Sequence, residues 1–242
     1  MDNTTLKRFA VSARHKITTG VRNRAAQFGI TAQGIAPIQS LADGFIVNGH
    51  IFDNKTRTQY EHLRRRVEID GYEAVMETAS YTWFNRLVAL RFMEVHDYLP
   101  IRTRILSSLK ANKVEPDAVT EVLQLVEELS LDKELIYHLQ DTHNTNELFK
   151  YIIEKQGMQL EKMLPNVFSP VEADFYLLLP NDLLQDSGII RDLITLIPDE
   201  AWEDIEIVGW LYQFYVSEEK DQIFSDLKKN KKIGKQSIGP AT

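Results

Sequence analysis

The sequence predicts a mainly α-helical, multi-helix domain with one small β-hairpin near residues 44–53, and three observations predict it. Apolar residues recur at spacings of three and four over most of the chain, the period of a helix face. Residues 81–100, Y-T-W-F-N-R-L-V-A-L-R-F-M-E-V-H-D-Y-L-P, are apolar nearly all round a helix, which marks an element surrounded by others. The best strand signal is G-F-I-V-N-G-H-I-F-D, Gly44 to Asp53, where Asn48-Gly49 suits a two-residue type I′ turn.

In chain order, residues 5–28 read as an amphipathic helix with Leu6, Phe9, Ala10, Ala13, Ile17, Val21 and Phe28 on its apolar side. Lys7, Arg8, Arg14, Lys16, Arg22 and Arg24 surround that side, which suits either a solvated docking helix or one lying on phosphates or a membrane. Residues 29–40, with Gly29, Gly34 and Pro37, read as a connecting loop. A lone hairpin is marginal in water, so residues 44–53 must lean on helices or finish a sheet elsewhere. Residues 55–70 form a basic helix containing Arg64-Arg65-Arg66, and Gly71 ends it. Successive helix positions point about 100° apart, so one of the triplet can pair inward while two point out.

On the central helix, Ala79, Trp83, Leu87 and Leu90 share one side, and Phe84, Val88 and Val95 the other. Arg86 and Arg91 require partners there, because an unpaired buried charge is very costly. Arg91 and Glu94 are three apart and can pair. The two readings are a core helix with a satisfied polar network and a pocket lined by Arg86 or Arg91. The cluster Glu94-Val95-His96-Asp97 reads as capping and surface pairing.

Proline in a first turn opens a helix at Glu115-Pro116-Asp117, with Val119, Val122, Leu123, Val126 and Leu129 as its stripe. Residues 132–141 and 144–164 continue the helical pattern. Phe175 to Leu179, between Pro170 and Pro180, is a strand or a buried extended run. Asn181-Asp182 caps a helix over 183–196, Pro198-Asp199-Glu200 starts a short turn, and residues 205–227 form a second apolar helix. Gly209 within it suggests that another backbone packs close. The aromatics Trp210, Tyr212, Phe214 and Tyr215 read as core, with base stacking as the alternative. The domain is expected over 1–227, followed by a linker over 228–242.

Charge is segregated. Residues 1–114 carry 17 Lys/Arg against 10 Asp/Glu, and residues 115–210 carry 5 against 21. Basic segments can approach nucleic acid while the acidic middle is repelled by it; acidic helices also simply solubilise a surface. The candidate phosphate contacts are Lys55, Arg57, Arg64, Arg65 and Arg66 in one segment, and Lys228, Lys229, Lys231, Lys232 and Lys235 in the other. The absence of cysteine excludes disulfides, Cys-zinc sites and thiol catalysis, and suits a reducing cytoplasm. No apolar run is long enough to span a bilayer, and no signal peptide is expected. No G-x-x-x-x-G is followed by Lys, so a phosphate-binding P-loop is excluded. G-x-S-x-G and H-E-x-x-H are missing, and His138 and His143 point differently on a helix, so no metal site is expected.

Four stretches resemble one family. W-F-N-R-L-V-A-L-R-F-M-E-V-H-D-Y-L (Trp83–Leu99) and V-G-W-L-Y-Q-F-Y-V-S-E-E-K-D (Val208–Asp221) resemble blocks in the N-terminal region of the PglX family, the adenine-specific DNA methyltransferases of BREX phage-defence systems. T-L-K-R-F-A-x-x-A-R (Thr5–Arg14) and I-G-P-A-T (Ile238–Thr242) fit the same region. The resemblance implies S-adenosylmethionine and DNA as ligands of the full-length family, and a methyltransferase domain beyond this chain. It also implies other BREX components as partners. Two hypotheses follow: a non-catalytic domain that braces the catalytic domain and helps hold DNA, or a protein-interaction module without DNA affinity. The family's D/N-P-P-Y/F loop, which positions and stacks on the flipped adenine, is absent because no two prolines are adjacent. No G-x-G occurs either, so the glycine-rich cofactor loop is missing. The chain alone is therefore expected to hold no catalytic residue and no cofactor.

Overall fold

The computed structural model describes residues 2–110 and 113–217. Within them the chain is mainly helical with a small antiparallel sheet, as expected. Helix α1 (Asn3–Gln27) starts where the Asp2 carboxylate accepts from the Thr4 N–H. Helix α2 (Asn54–Asp70) starts at Asp53, whose side chain accepts from both the backbone and the hydroxyl of Thr56. Gly71 alone joins α2 to α3 (Tyr72–Val95) at φ 85°, a conformation strained for a residue with a Cβ. Helix α3 buries residues all round its axis and carries one core against α1, α2 and the C-terminal elements.

The hairpin forms as expected from strands β4 (Gly44–Val47) and β5 (His50–Asp53). Asn48 and Gly49 take φ 48° and 78°, the left-handed pair of a type I′ turn. The hairpin leans on helices: Phe45 and Phe52 stack with each other and with Tyr60 of α2 and Phe28 beyond α1. The preceding residues are not a plain loop. Strands β1 (Ile30–Thr31) and β2 (Gly34–Ile35) pair as a ribbon, and β3 (Gln39–Ser40) joins β4 to make a three-stranded sheet. These two-residue strands are too short to leave a periodic signal.

The acidic half departs further from expectation. The predicted helix after Pro116 is a single turn, α4 (Asp117–Thr120), followed by a 3₁₀ turn, Val122–Leu125. The break at Glu121 shifts the phase and leaves Leu123 46% exposed, off the expected stripe. Helices α5 (Lys133–Asp141) and α6 (Thr145–Leu160) are capped by Asp132 and Asn144.

Residues Pro170–Leu178 form a 3₁₀ helix rather than a strand. Side chains take carbonyls a strand would pair: Trp83 Nε1 donates to Phe175 O at 2.9 Å and Arg24 Nε to Leu177 O at 3.2 Å. Helix α7 begins at Ile189, not at 183, and ends at Leu196. Residues 182–188 make tight turns around Gly188, where a Cβ would meet the Asp182 carbonyl oxygen at 2.5 Å. A 3₁₀ turn, Asp199–Glu203, follows as expected. Residues 206–217 are helical, and Tyr215 stacks on Phe84 at 4.3 Å. Among the described residues nothing comes within 4 Å of a Cβ at Gly209, so the expected close backbone is not among them. Residues 218–242, with the expected linker and its five candidate lysines, lie outside the described residues.

Candidate nucleic-acid interface

Helix α2 turns Tyr60, Leu63 and Val67 inward, which decides where its cations point. Arg66 lies at the edge of that face. Its Nε and Nη2 grip Asp174 at 2.9 and 3.2 Å, Nη2 also donates to Val171 O at 2.7 Å, and the guanidinium lies over Phe175. Arg57 donates to the Gly44 carbonyl and reaches the Ser40 hydroxyl, fastening β3 and β4 to the helix. Arg64 lies over Tyr60 with its Nη2 3.8 Å from Glu68. Lys55 and Arg65 are exposed and reach no partner among the described residues. The structure therefore splits the five predicted cations of 55–66. Arg57 and Arg66 hold the fold, Arg64 is half-committed, and Lys55 and Arg65 face solvent beside His62 and Glu61.

Arg86 and Arg91 resolve as a buried polar network. Arg86 donates Nε to Val167 O at 3.1 Å and Nη2 to Glu172 at 3.3 Å, and its guanidinium lies about 5 Å from the rings of Trp83 and Tyr176. Burial holds its pKa below the usual range, against the pull of Tyr176 and the nearby carboxylates. Arg91 donates to Glu94 at 2.6 Å, to the Ser107 hydroxyl at 3.0 Å, and to Asp199. Glu94 is buried, not surface: it also accepts from the Leu106 N–H at 2.8 Å and from Ser107 at 2.9 Å. Burial works to raise the Asp199 carboxyl, but hydrogen bonds and charge from Arg104 and Arg91 outweigh it and hold the pKa below the usual value.

A second arrangement gave no signal in the sequence. A cleft of about 480 Å³ opens between α1, α2 and the hairpin on one side and α5, α6 and Pro170–Leu178 on the other. Glu147, Lys150 and Glu154 of α6 meet Arg24 of α1 and Tyr176 in it. Lys150 donates to Asn181 Oδ1 at 2.7 Å and pairs with Glu147. Burial, and then the Arg24 charge, push the Lys150 pKa down, against Glu147. Burial raises the Glu154 carboxyl, and pushes the Tyr176 phenol up to about 12. Helical spacing can place Glu147, Lys150 and Glu154 on one face, but it cannot show that Arg24 and Tyr176 join them.

No protein-family model matches the chain. It is 32% identical over 244 residues to an adenine-specific methyltransferase BrxX of Escherichia coli O9:H4 (strain HS), covering 96% of this chain and 20% of that protein. Over nearly its whole length the chain is similar to part of an adenine-specific methyltransferase. An adenine-specific methyltransferase PglX of Lacticaseibacillus casei (strain Zhang) is likewise 32% identical over 254 residues, covering 94% of this chain and 21% of that protein. The chain thus spans about a fifth of the length of these two relatives. Among the described residues no helix is long and apolar enough to cross a membrane, and no cluster of three His, Asp or Glu is placed to hold a metal ion.

Proposed function

We propose that this chain is the non-catalytic N-terminal domain of a BREX-type adenine-N6 DNA methyltransferase that serves phage defence in the cytoplasm. It braces the catalytic domain and contacts DNA through Lys55, Arg65 and the lysines of 228–235. One observation supports this most: a match to a fifth of two methyltransferases that runs over nearly the whole chain, in a sequence without D/N-P-P-Y/F or G-x-G. S-adenosylmethionine and base chemistry then belong to the rest of the parent protein, because no residues here fit a methyltransferase cofactor loop. Incubating the chain with duplex DNA and tritium-labelled S-adenosylmethionine tests the assignment. It predicts no methyl incorporation and no saturable cofactor binding; either one overturns it.

A specific observation favours a second reading. Arg57 and Arg66 are committed to the fold, which thins the basic face of α2 to Lys55 and Arg65. A protein-interaction module, docking other BREX components through its acidic segment, needs no more than that. Salt-dependent duplex binding separates the two.

A further inference from the structure

We propose that the cleft between α1 and α6 binds a small anionic ligand carrying a flat ring, its anionic group held by Arg24 and Lys150 and its ring lying along Phe52 and Tyr151. A nucleoside monophosphate matches these features most fully. The inference does not rest on the methyltransferase assignment.

The argument begins with charge. Arg24 and Lys150 are close enough for the Arg24 charge to depress the Lys150 pKa, and both are held below their usual values chiefly by burial. Two desolvated cations side by side are unfavourable unless an anion joins them. One carboxylate, Glu147, pairs with Lys150 and acts on Arg24 by charge, with its side chain 44% exposed, while burial pushes the second carboxyl of the cleft, Glu154, toward its neutral form. The other partners are neutral: Leu177 O and Gln27 Oε1 for Arg24, and Asn181 Oδ1 for Lys150. The site therefore has room in its charge balance for an incoming anion.

The remaining walls define what the anion carries. Phe52, whose ring also stacks with Phe28 and Phe45, and Tyr151, over whose ring the Lys155 ammonium lies, line the aromatic wall, and Leu135 and Leu139 close the α5 side. Glu154 lies in the same cleft, hydrogen-bonded to Gln59. A carboxyl beside an amide supplies acceptor and donor together, the pattern that reads the edge of a nitrogen heterocycle. A volume of about 480 Å³ falls within the range of small-ligand pockets. Four of the groups with displaced pKa values, Arg24, Lys150, Glu154 and Tyr176, line this one cleft. Displaced pKa values cluster at functional sites, and buried ion-pair networks displace them as well.

The test is calorimetric titration of the chain with AMP, GMP, CMP, UMP, benzoate and inorganic phosphate, beside thermal shifts. At least one ring-bearing anion should bind saturably, at least tenfold tighter than phosphate, and raise Tm. Lys150→Met and Arg24→Gln should each weaken it at least tenfold, while Lys7→Glu, exposed near the start of α1 and outside the cleft lining, leaves it unchanged. Circular dichroism confirms that each variant is folded. If a cleft variant does not fold, Tyr151→Leu, which removes the ring wall alone, should weaken binding at least threefold. Overturning results are no saturable ring-bearing anion, phosphate binding as tightly as any of them, or affinity indifferent to the folded cleft variants.

Discussion

Replacing Glu94 by alanine should be among the most damaging changes in this chain. The carboxylate is buried and accepts three hydrogen bonds: from Arg91 at 2.6 Å, from Ser107 at 2.9 Å and from the Leu106 N–H at 2.8 Å. Its loss leaves the buried Arg91 with Asp199 as its sole carboxylate, and leaves the Leu106 N–H without its acceptor. Removing one partner of a buried pair costs about 3–5 kcal/mol. For a chain of this size Tm moves about 2–4 °C per kcal/mol, so even the lower bound lowers it by about 6–12 °C. Glu94→Gln keeps an acceptor but loses the charge, and should fall between wild type and alanine. Arg91→Met with Glu94→Leu removes both charges together and should cost less than Glu94→Ala alone. Urea denaturation followed by far-UV dichroism gives all three values. A loss below about 1 kcal/mol for Glu94→Ala would refute the network as a structural device, since exposed pairs contribute at that level.

The legible and illegible parts of this molecule differ in physical origin. The sequence disclosed the central helix because its apolar residues lie all round one axis, and the hairpin because Asn48-Gly49 fits a left-handed pair. The Arg91–Glu94 pairing followed from spacing, but Ser107 and Asp199 as further partners did not, since they arrive from other segments. Phe175 to Leu179 misled because a short buried 3₁₀ run and a buried strand share one composition, and only the side chains of Trp83 and Arg24 decide which carbonyls are taken. The basic triplet was read in kind, one inward and the others not, yet which cation remained free depended on Asp174 and on β3. The cleft at Arg24 and Lys150 was invisible for the same reason as Asp199: its chemistry is assembled by tertiary packing.

Three further outcomes are expected. Tyr176 has a folded pKa of about 12 against an ordinary 10.0. A raised value means its contribution is complete below pH 10 and is lost as pH climbs toward 12, up to about 3 kcal/mol. Tyr176→Phe should flatten stability against pH in that window, read by urea midpoints. The depressed pKa of Asp199 stabilises above its ordinary 3.8 and is lost as pH falls through the folded value, so Asp199→Asn should flatten the acid limb. Two of the helical glycines should respond with opposite sign. Gly157→Ala drives a Cβ into the Tyr176 hydroxyl and should destabilise by about 1–3 kcal/mol. Gly209→Ala meets open space and should stabilise by about 0.5–1 kcal/mol, both read as Tm.

The DNA-holding role proposed for this domain is tested most directly by binding of a labelled duplex across a salt series. The chain should bind at low salt, with affinity falling steeply as salt rises. Lys55→Glu with Arg65→Glu should weaken binding and lower the slope of log K against log salt by about 0.9 for each phosphate that is no longer neutralised. Arg66→Glu should act instead by breaking the pair with Asp174, and lower Tm. No binding at low salt, or binding indifferent to Lys55, Arg65 and the lysines of 228–235, would contradict the DNA-holding role and leave a protein-docking domain.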